Sequence, residues 1–199
     1  MSLDIYNLLE KIAFTRVSGS NEEFKCANIL KETVDLFGKN AEIWPFEVSG
    51  YKINKAVLFS NGKNYEVSGI KGSGSALITA PLYYMETNLD TDKYEIKDKI
   101  VLINGVINVP TYKKLLKYGA KGFISYSGDI TDKPSNSDLE NKELRDVLRN
   151  KGIIPGVHMR TKTAIELLND NPKEVTLELS QDEFTQTSHN VISEIDRKS

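Results

Sequence analysis

Cysteine, histidine and tryptophan are scarce in this chain. It has one cysteine, two histidines and one tryptophan in 199 residues. A lone cysteine cannot close an internal disulfide, so packing has to hold the fold. A catalytic zinc takes three protein ligands and a structural zinc four, and His158, His189 and Cys26 stand far apart with no ligand-like spacing between them. Neither sign of charge dominates: 26 Lys and Arg face 28 Asp and Glu, for a formal charge of -2. That balance excludes a broad nucleic-acid surface, which needs clustered cations. No apolar run approaches the roughly 18 residues of a membrane span. The opening Met-Ser-Leu-Asp lacks a basic stretch followed by an apolar one, so no signal peptide is visible and a cytoplasmic location is expected. What is present is ordinary for a soluble globular chain: 39% hydrophobic and 27% charged residues, enough for a sizeable core.

Apolar spacing predicts a helix from Leu3 to about Phe14, with Ile5, Leu8, Leu9 and Ile12 on one face. A second helix follows from Ser20, which stands three residues before Glu23 as in a capping box, and ends at Gly38. Strands are then expected over 41–48, 51–60 and 63–70, the last two joined by Asn61-Gly62, a strong hairpin signal. Further strands are expected over 76–82, 99–104, 122–127, 153–158, 175–179 and 190–195. Helices are expected from Pro110 to Tyr118, from Ser137 to Asn150 with Leu139, Leu144, Val147 and Leu148 inward, and from a Thr161 cap to Asn169. The apolar 99–104 strand, the short helix and the 122–127 strand read as a βαβ unit with parallel strands. Ser180 to Ser188 is polar and reads as a connection. The pattern suggests an inserted α/β domain, with both chain ends belonging to a different unit.

Residues that could carry chemistry have plainer roles. His158 reads as a hydrogen-bonded surface or strand-end histidine, and His189 as a residue just before the last strand. Cys26 lies mid-helix, away from the helix N-terminus that would stabilise a thiolate. Ser73 in Lys-Gly-Ser-Gly-Ser reads as a turn, since no Gly-x-Ser-x-Gly elbow is present. Gly72 and Gly74 precede a strand and are no dinucleotide fingerprint. The pairs Glu22/Glu23 and Asp90/Asp92 read as solvated carboxylates, and Lys113, Lys114 and Lys117 as a solvated basic helix end. No catalytic, cofactor-binding or metal-ligating residue is assigned.

Three stretches carry a resemblance. Arg16-Val17-Ser18-Gly19-Ser20 with Glu22 or Glu23 resembles an R-x-x-G-S-x-E link between two helices. Asp98 to Ile103 resembles a "gKIVLv" strand; Tyr112 to Ile124 resembles the helix and "GAkGvi" strand that follow it, and Ile154-Pro155-Gly156-Val157 resembles a later "iP-x-v" strand. Ser188-His189-Asn190-Val191-Ile192 resembles an "s-x-NVia" segment. In this order they are similar to the N-terminal part of the M28 family of zinc aminopeptidases, with its inserted protease-associated (PA) domain. One departure is Asn104 to Pro110, where the family usually has a glycine-rich segment with cysteine or serine.

The resemblance implies an α/β fold with a mixed parallel and antiparallel sheet. Residues 1–47 would be helices and a strand of the host peptidase fold, 48–180 a PA-like inserted domain, and 181–199 a return linker and strand. It also implies that the family's metal ligands, beginning with His-x-Asp after the "NVia" strand, lie beyond this sequence. The chain alone is then expected to be inactive and to hold no cofactor, with two zinc ions and peptide substrates belonging to the parent. Its partner would be the peptidase domain of the same polypeptide, and no nucleic acid or membrane. Uncovered apolar stripes predict self-association. The loops Met85 to Asp98 and Gly128 to Asn136 are expected to face the parent's cleft. The alternatives are a freestanding PA-like interaction module and an unrelated small α/β hydrolase; a cleft holding His158 or His189 beside a serine, cysteine or carboxylate would favour the hydrolase.

Overall fold

Four consecutive apolar residues, Ile100 to Ile103, organise the larger part of the molecule. In a strand successive side chains point to opposite faces, so a strand apolar at every position needs cover on both sides. The structure, a computed structural model, describes residues 4–85, 95–105, 107–128, 131, 139 and 142–194. Its strands are β1 (Ala41–Ser60), β2 (Lys63–Tyr65), β3 (Ser68–Gly69), β4 (Ala76–Met85), β5 (Ile100–Asn104), β6 (Gly122–Ser127), β7 (Gly156–Arg160) and β8 (Glu174–Ser193). Its helices are α1 (Ile5–Ile12), α2 (Asn21–Asp35), α3 (Val109–Lys117), α4 (Asp146–Arg149) and α5 (Thr161–Asn169). The chain divides into two units, Met1–Gly50 with Glu183–Ser199, and Tyr51–Asp182. The division falls within β1 and within β8.

Among the described residues the strands form one sheet in the order β2-β1-β8-β4-β5-β6-β7-β3. β4, β5, β6 and β7 run parallel, while β4 meets β8 and β7 meets β3 antiparallel. This is the mixed α/β sheet expected from the sequence. The β5–α3–β6 crossover is the expected βαβ unit. Asn108 starts α3 by accepting a hydrogen bond from the Thr111 backbone N–H at 2.9 Å. Asn61 and Gly62 have φ of 51° and 78°, the two positive values a type I′ hairpin turn needs.

In the larger unit one face of the sheet packs Ile100, Leu102, Ile124 and Met159 with Leu167 of α5 and Leu177 of β8. The other packs Val101, Ile103 and Phe123 with Tyr112 and Leu115 of α3 and Leu148 of α4. In the smaller unit, Asp4 caps α1 by accepting from Asn7 N–H, and Ser20 caps α2 by accepting from Glu23 N–H. No residue of α1 is buried, whereas Cys26 and Ala27 of α2 are.

Four expectations are corrected. The segments 41–48 and 51–60 are one strand, β1, which passes through Gly50; a Cβ at Gly50 would lie 2.5 Å from the Phe184 ring. The polar stretch 180–188 is the middle of β8. It carries no apolar alternation because much of it is exposed, and its start is held by Gln181, whose Oε1 accepts from Gly72 N–H at 2.9 Å. The helix expected over 137–150 is not continuous: among the described residues Leu139 is helical and α4 is helical, but Lys142 to Arg145 between them is not, and Glu143 forms a bridge. Lys71 N–H donates to Lys142 O and Leu144 N–H to Lys71 O, a strand-like bridge. Leu139, Leu144 and Leu148 are buried as expected, but Val147 is exposed. Thr161 does not cap α5 but begins it, its hydroxyl donating to Gly128 O.

Gly156 shows how closely β6 and β7 approach. Phe123 pairs with Gly156 across the strands, and a Cβ at 156 would lie 2.2 Å from the Phe123 ring. Phe123 is fully buried, so its ring would have to shift within the core. Gly156→Ala is therefore expected to destabilise the fold by about 1–3 kcal/mol, read as a lower urea midpoint with an unchanged slope. Adding Phe123→Leu should recover part of that loss.

Candidate functional site

On β6 the sequence Phe-Ile-Ser-Tyr-Ser places Phe123, Ser125 and Ser127 on one face and Ile124 and Tyr126 on the other. The neighbouring β7 lies parallel with Ser125 opposite His158. The imidazole thus sits between two hydroxyls on the adjacent strand: Ser125 Oγ is 2.8 Å from Nδ1 and Ser127 Oγ is 3.2 Å from Nε2. His158 is 3% exposed. Burial, and secondarily the positive charge of Lys142, push its pKa from 6.5 down to about 4. It is a neutral ring at physiological pH.

A neutral imidazole has one N–H and one acceptor nitrogen. One serine therefore donates to the ring, and the other accepts from it and keeps its own O–H proton. Ser125 is buried, whereas Ser127 at the end of β6 is half-exposed. A buried donor without an acceptor is costly, so the favoured arrangement has Ser125 donating to Nδ1 and Nε2–H donating to Ser127. The spare hydroxyl proton then belongs to Ser127.

These three residues line a cavity of about 230 Å³. Gly105 and Ser127 place it toward the C-terminal ends of β5 and β6, where parallel α/β sheets commonly hold ligands. Its walls are mostly apolar, from Ile70, Ile107, Phe123, Leu144 and Leu148; Lys142, Glu143 and Arg145 also line it. The bridge from Lys71 to 142–144 positions that charged segment.

Ser125 beside His158 in a cleft is the feature that would favour a hydrolase, but the pair is poorly suited to nucleophilic attack. Among the described residues no carboxylate is hydrogen-bonded to His158 to orient the ring. A pKa of about 4 makes it a weak general base near pH 7, and Ser125 is buried. The arrangement is suited to hydrogen bonding. His158 was expected at the surface or at a strand end; it is hydrogen-bonded, but buried within β7.

The second histidine serves the smaller unit. His189 lies within β8, where its backbone N–H donates to Glu23 Oε1 and its Nδ1–H to Glu23 Oε2, each at 3.0 Å. Phe24 packs on the ring with centroids 4.5 Å apart. Nearby, Ser18 Oγ lies 3.1 Å from Ser188 Oγ, and Gln186 Nε2–H donates to Ser18 O. Two of the stretches that carry the resemblance, 16–23 and 188–192, therefore touch. Glu23 does not reach back to its own helix cap, as the capping box expected; its carboxylate is taken by His189.

The other candidates fall as follows. Cys26 is buried in α2. Ser73 is a turn residue, its hydroxyl donating to Ile70 O and accepting from Gly156 N–H. Gly72 has φ of 74° in that turn. Glu22 is exposed, as expected, while Glu23 is partnered. Lys114 is buried, not solvated, on α3. Asp90, Asp92 and most of the loops 85–98 and 128–136 lie outside the described residues. Among the described residues no three His, Cys, Asp or Glu side chains converge to hold a metal ion, and no helix is long and apolar enough to cross a membrane.

No protein-family model matches this sequence, and no curated protein matches it. Solved structures do. An aminopeptidase from Aneurinibacillus sp. strain AM-1 superposes with a TM-score of 0.69 at 24% identity, over 97% of this chain and 48% of its own. A zinc aminopeptidase from Bacillus subtilis gives 0.68 at 23%, over 94% and 45%. A peptidase M28 precursor from Shewanella amazonensis SB2B gives 0.66 at 17%, over 94% and 49%. At these identities the likeness is one of fold. The chain spans about half the length of the structures it matches.

Burial of His158 has a consequence for acid stability. Above pH 6.5 the ring is neutral whether folded or unfolded. As pH falls toward 4 the unfolded chain binds a proton that the folded one resists, so stability declines, by roughly 3 kcal/mol over that interval. Urea unfolding between pH 7 and pH 4 should show this loss, and His158→Gln should lack most of it.

Proposed function

We propose that this chain is the non-catalytic N-terminal portion of a metal-dependent exopeptidase of the M28 type, whose whole protein removes residues from peptide N-termini. The observation that carries this reading is the fold likeness over 94–97% of this chain to less than half of each peptidase chain. The ordered motifs support it, as does the Glu23–His189 contact between two of them. In this reading 48–180 is a PA-like inserted domain, with 1–47 and 181–199 belonging to the host fold. Two zinc ions, which would activate water in the parent, are held by residues outside this sequence. The inserted domain walls the peptidase cleft and limits access to peptide ends.

The 199-residue chain is expected to hydrolyse no aminoacyl-p-nitroanilide, with or without zinc. The natural reading frame, expressed through the residues that follow Ser199, is expected to do so and to stop with 1,10-phenanthroline. A frame that ends at Ser199 would leave a freestanding PA-like interaction module. Turnover by the 199-residue chain that Ser125→Ala abolishes would instead support the small-hydrolase reading, which the Ser125–His158 pair keeps in view.

The smaller unit supports the expectation of self-association. Ile5 and Leu9 of α1 are 60% and 53% exposed, and Leu36 and Trp44 are also open. In the parent these faces pack on the peptidase domain; in the 199-residue chain they pair with another copy. Light scattering should return a mass above one chain, reduced by Ile5→Lys with Leu9→Lys. A single-chain mass at every concentration would count against it.

A further inference from the structure

The peptidase reading gives no task to the cavity beside Ser125, Ser127 and His158. It lies wholly within the unit Tyr51–Asp182. Its lining holds hydroxyl, charged and apolar groups, and each narrows the ligand. Ser127 carries the spare hydroxyl proton and can donate it to an acceptor in the cavity. Among the described lining residues Lys142 and Arg145 outnumber Glu143, so the lining favours an anion over a cation. A divalent metal would want carboxylates converging on it, and the described residues supply no such cluster. The remaining wall is aliphatic and aromatic, which a fully hydrated ion such as phosphate would not use. The volume of about 230 Å³ falls below the roughly 300–1,000 Å³ of drug-sized sites, so the ligand is small.

We propose that this cavity binds a small monocarboxylate with an apolar body, its carboxylate drawn to Lys142, Arg145 and the Ser127 hydroxyl and its body to Ile70, Phe123, Leu144 and Leu148. His158 is a positioning residue here. Its Nδ1 accepts a hydrogen bond from Ser125 O–H and its Nε2–H donates to Ser127 Oγ, which leaves the Ser127 proton directed away from the ring. The low pKa of His158 keeps this arrangement intact at neutral pH. A doubly protonated ring would donate to both serines and remove the asymmetry.

The test uses the 199-residue chain labelled with ¹⁵N and does not depend on peptidase activity. 4-Methylpentanoate and phenylacetate are titrated as probes against 4-methylpentanamide, acetate and inorganic phosphate. Saturable shifts are expected at Gly105, Ser125, Ser127, Lys142, Leu144 and His158, with Kd on the order of 1 mM. The amide and acetate should each bind at least about tenfold more weakly, for loss of charge and of apolar contact respectively. Lys142→Met with Arg145→Met should weaken 4-methylpentanoate about tenfold, while Lys142→Arg should hold within about threefold. Ser127→Ala should weaken it about fivefold, the worth of one net hydrogen bond. These residues are exposed or half-exposed, so the variants should keep the wild-type amide spectrum. No saturable shifts, shifts scattered elsewhere, equal binding of acid and amide, or phosphate binding more tightly than the carboxylates would overturn the proposal.

Discussion

The larger unit depends on β5 being dry on both faces. Ile100 and Leu102 point one way and Val101 and Ile103 the other, and all four are buried. Burying each such side chain is worth roughly 1.5–3 kcal/mol, more than a typical net hydrogen bond at about 1 kcal/mol. The unit therefore has to supply a layer on each side. Tyr112 and Leu115 of α3 supply one; Leu167 of α5 and Leu177 of β8 contribute to the other. Parallel neighbours follow from the same requirement, because a crossover helix is what returns the chain to a parallel strand while covering a face.

A dry sheet leaves its own polar groups to satisfy one another. Ser73 donates to Ile70 O and accepts from Gly156 N–H. Ser125, His158 and Ser127 form a short chain of neutral groups, which burial requires to stay neutral. The face that carries them is covered over α3 by large apolar side chains, and farther along by α4 and the 142–145 segment. The cavity lies under that second cover, where the charged residues 142, 143 and 145 meet the apolar wall.

The parts legible in the sequence were those whose signal is local. Asn61-Gly62 marks a turn because both residues must take positive φ. The run Ile100 to Ile103 followed by Pro110, Gly119 and Gly122 marks a crossover. The middle of β8 was not legible, because an exposed polar strand held by its ladder shows no apolar alternation. The 142–145 stretch was misread because charged residues with scattered leucines satisfy helical spacing, yet Lys71 pairs with Glu143 as a strand would. Of the cavity, His158 stood out as one of two histidines, but Ser125 and Ser127 did not. Their i, i+2 spacing puts them on one face; only the register of β6 against β7, which Gly156 and Phe123 help set, puts that face against His158.

The two histidines show why one contact closes and the other stays open. Glu23 stands in the first turn of α2, where a carboxylate suits the helix dipole. Both of its oxygens are engaged by His189, and its N–H by Ser20. That contact joins positions 166 residues apart and leaves neither carboxylate oxygen unused, so it is a clasp. His158 meets two hydroxyls instead, each able both to donate and to accept. Two hydroxyls bring two protons and a neutral ring brings one, while the two hydrogen bonds between them use only two of the three. One proton must be left over whichever tautomer forms. Burial of Ser125 moves that proton to Ser127, beside the cavity. A histidine held by a carboxylate spends its one N–H there, whereas one held by two serines always leaves a donor for something else.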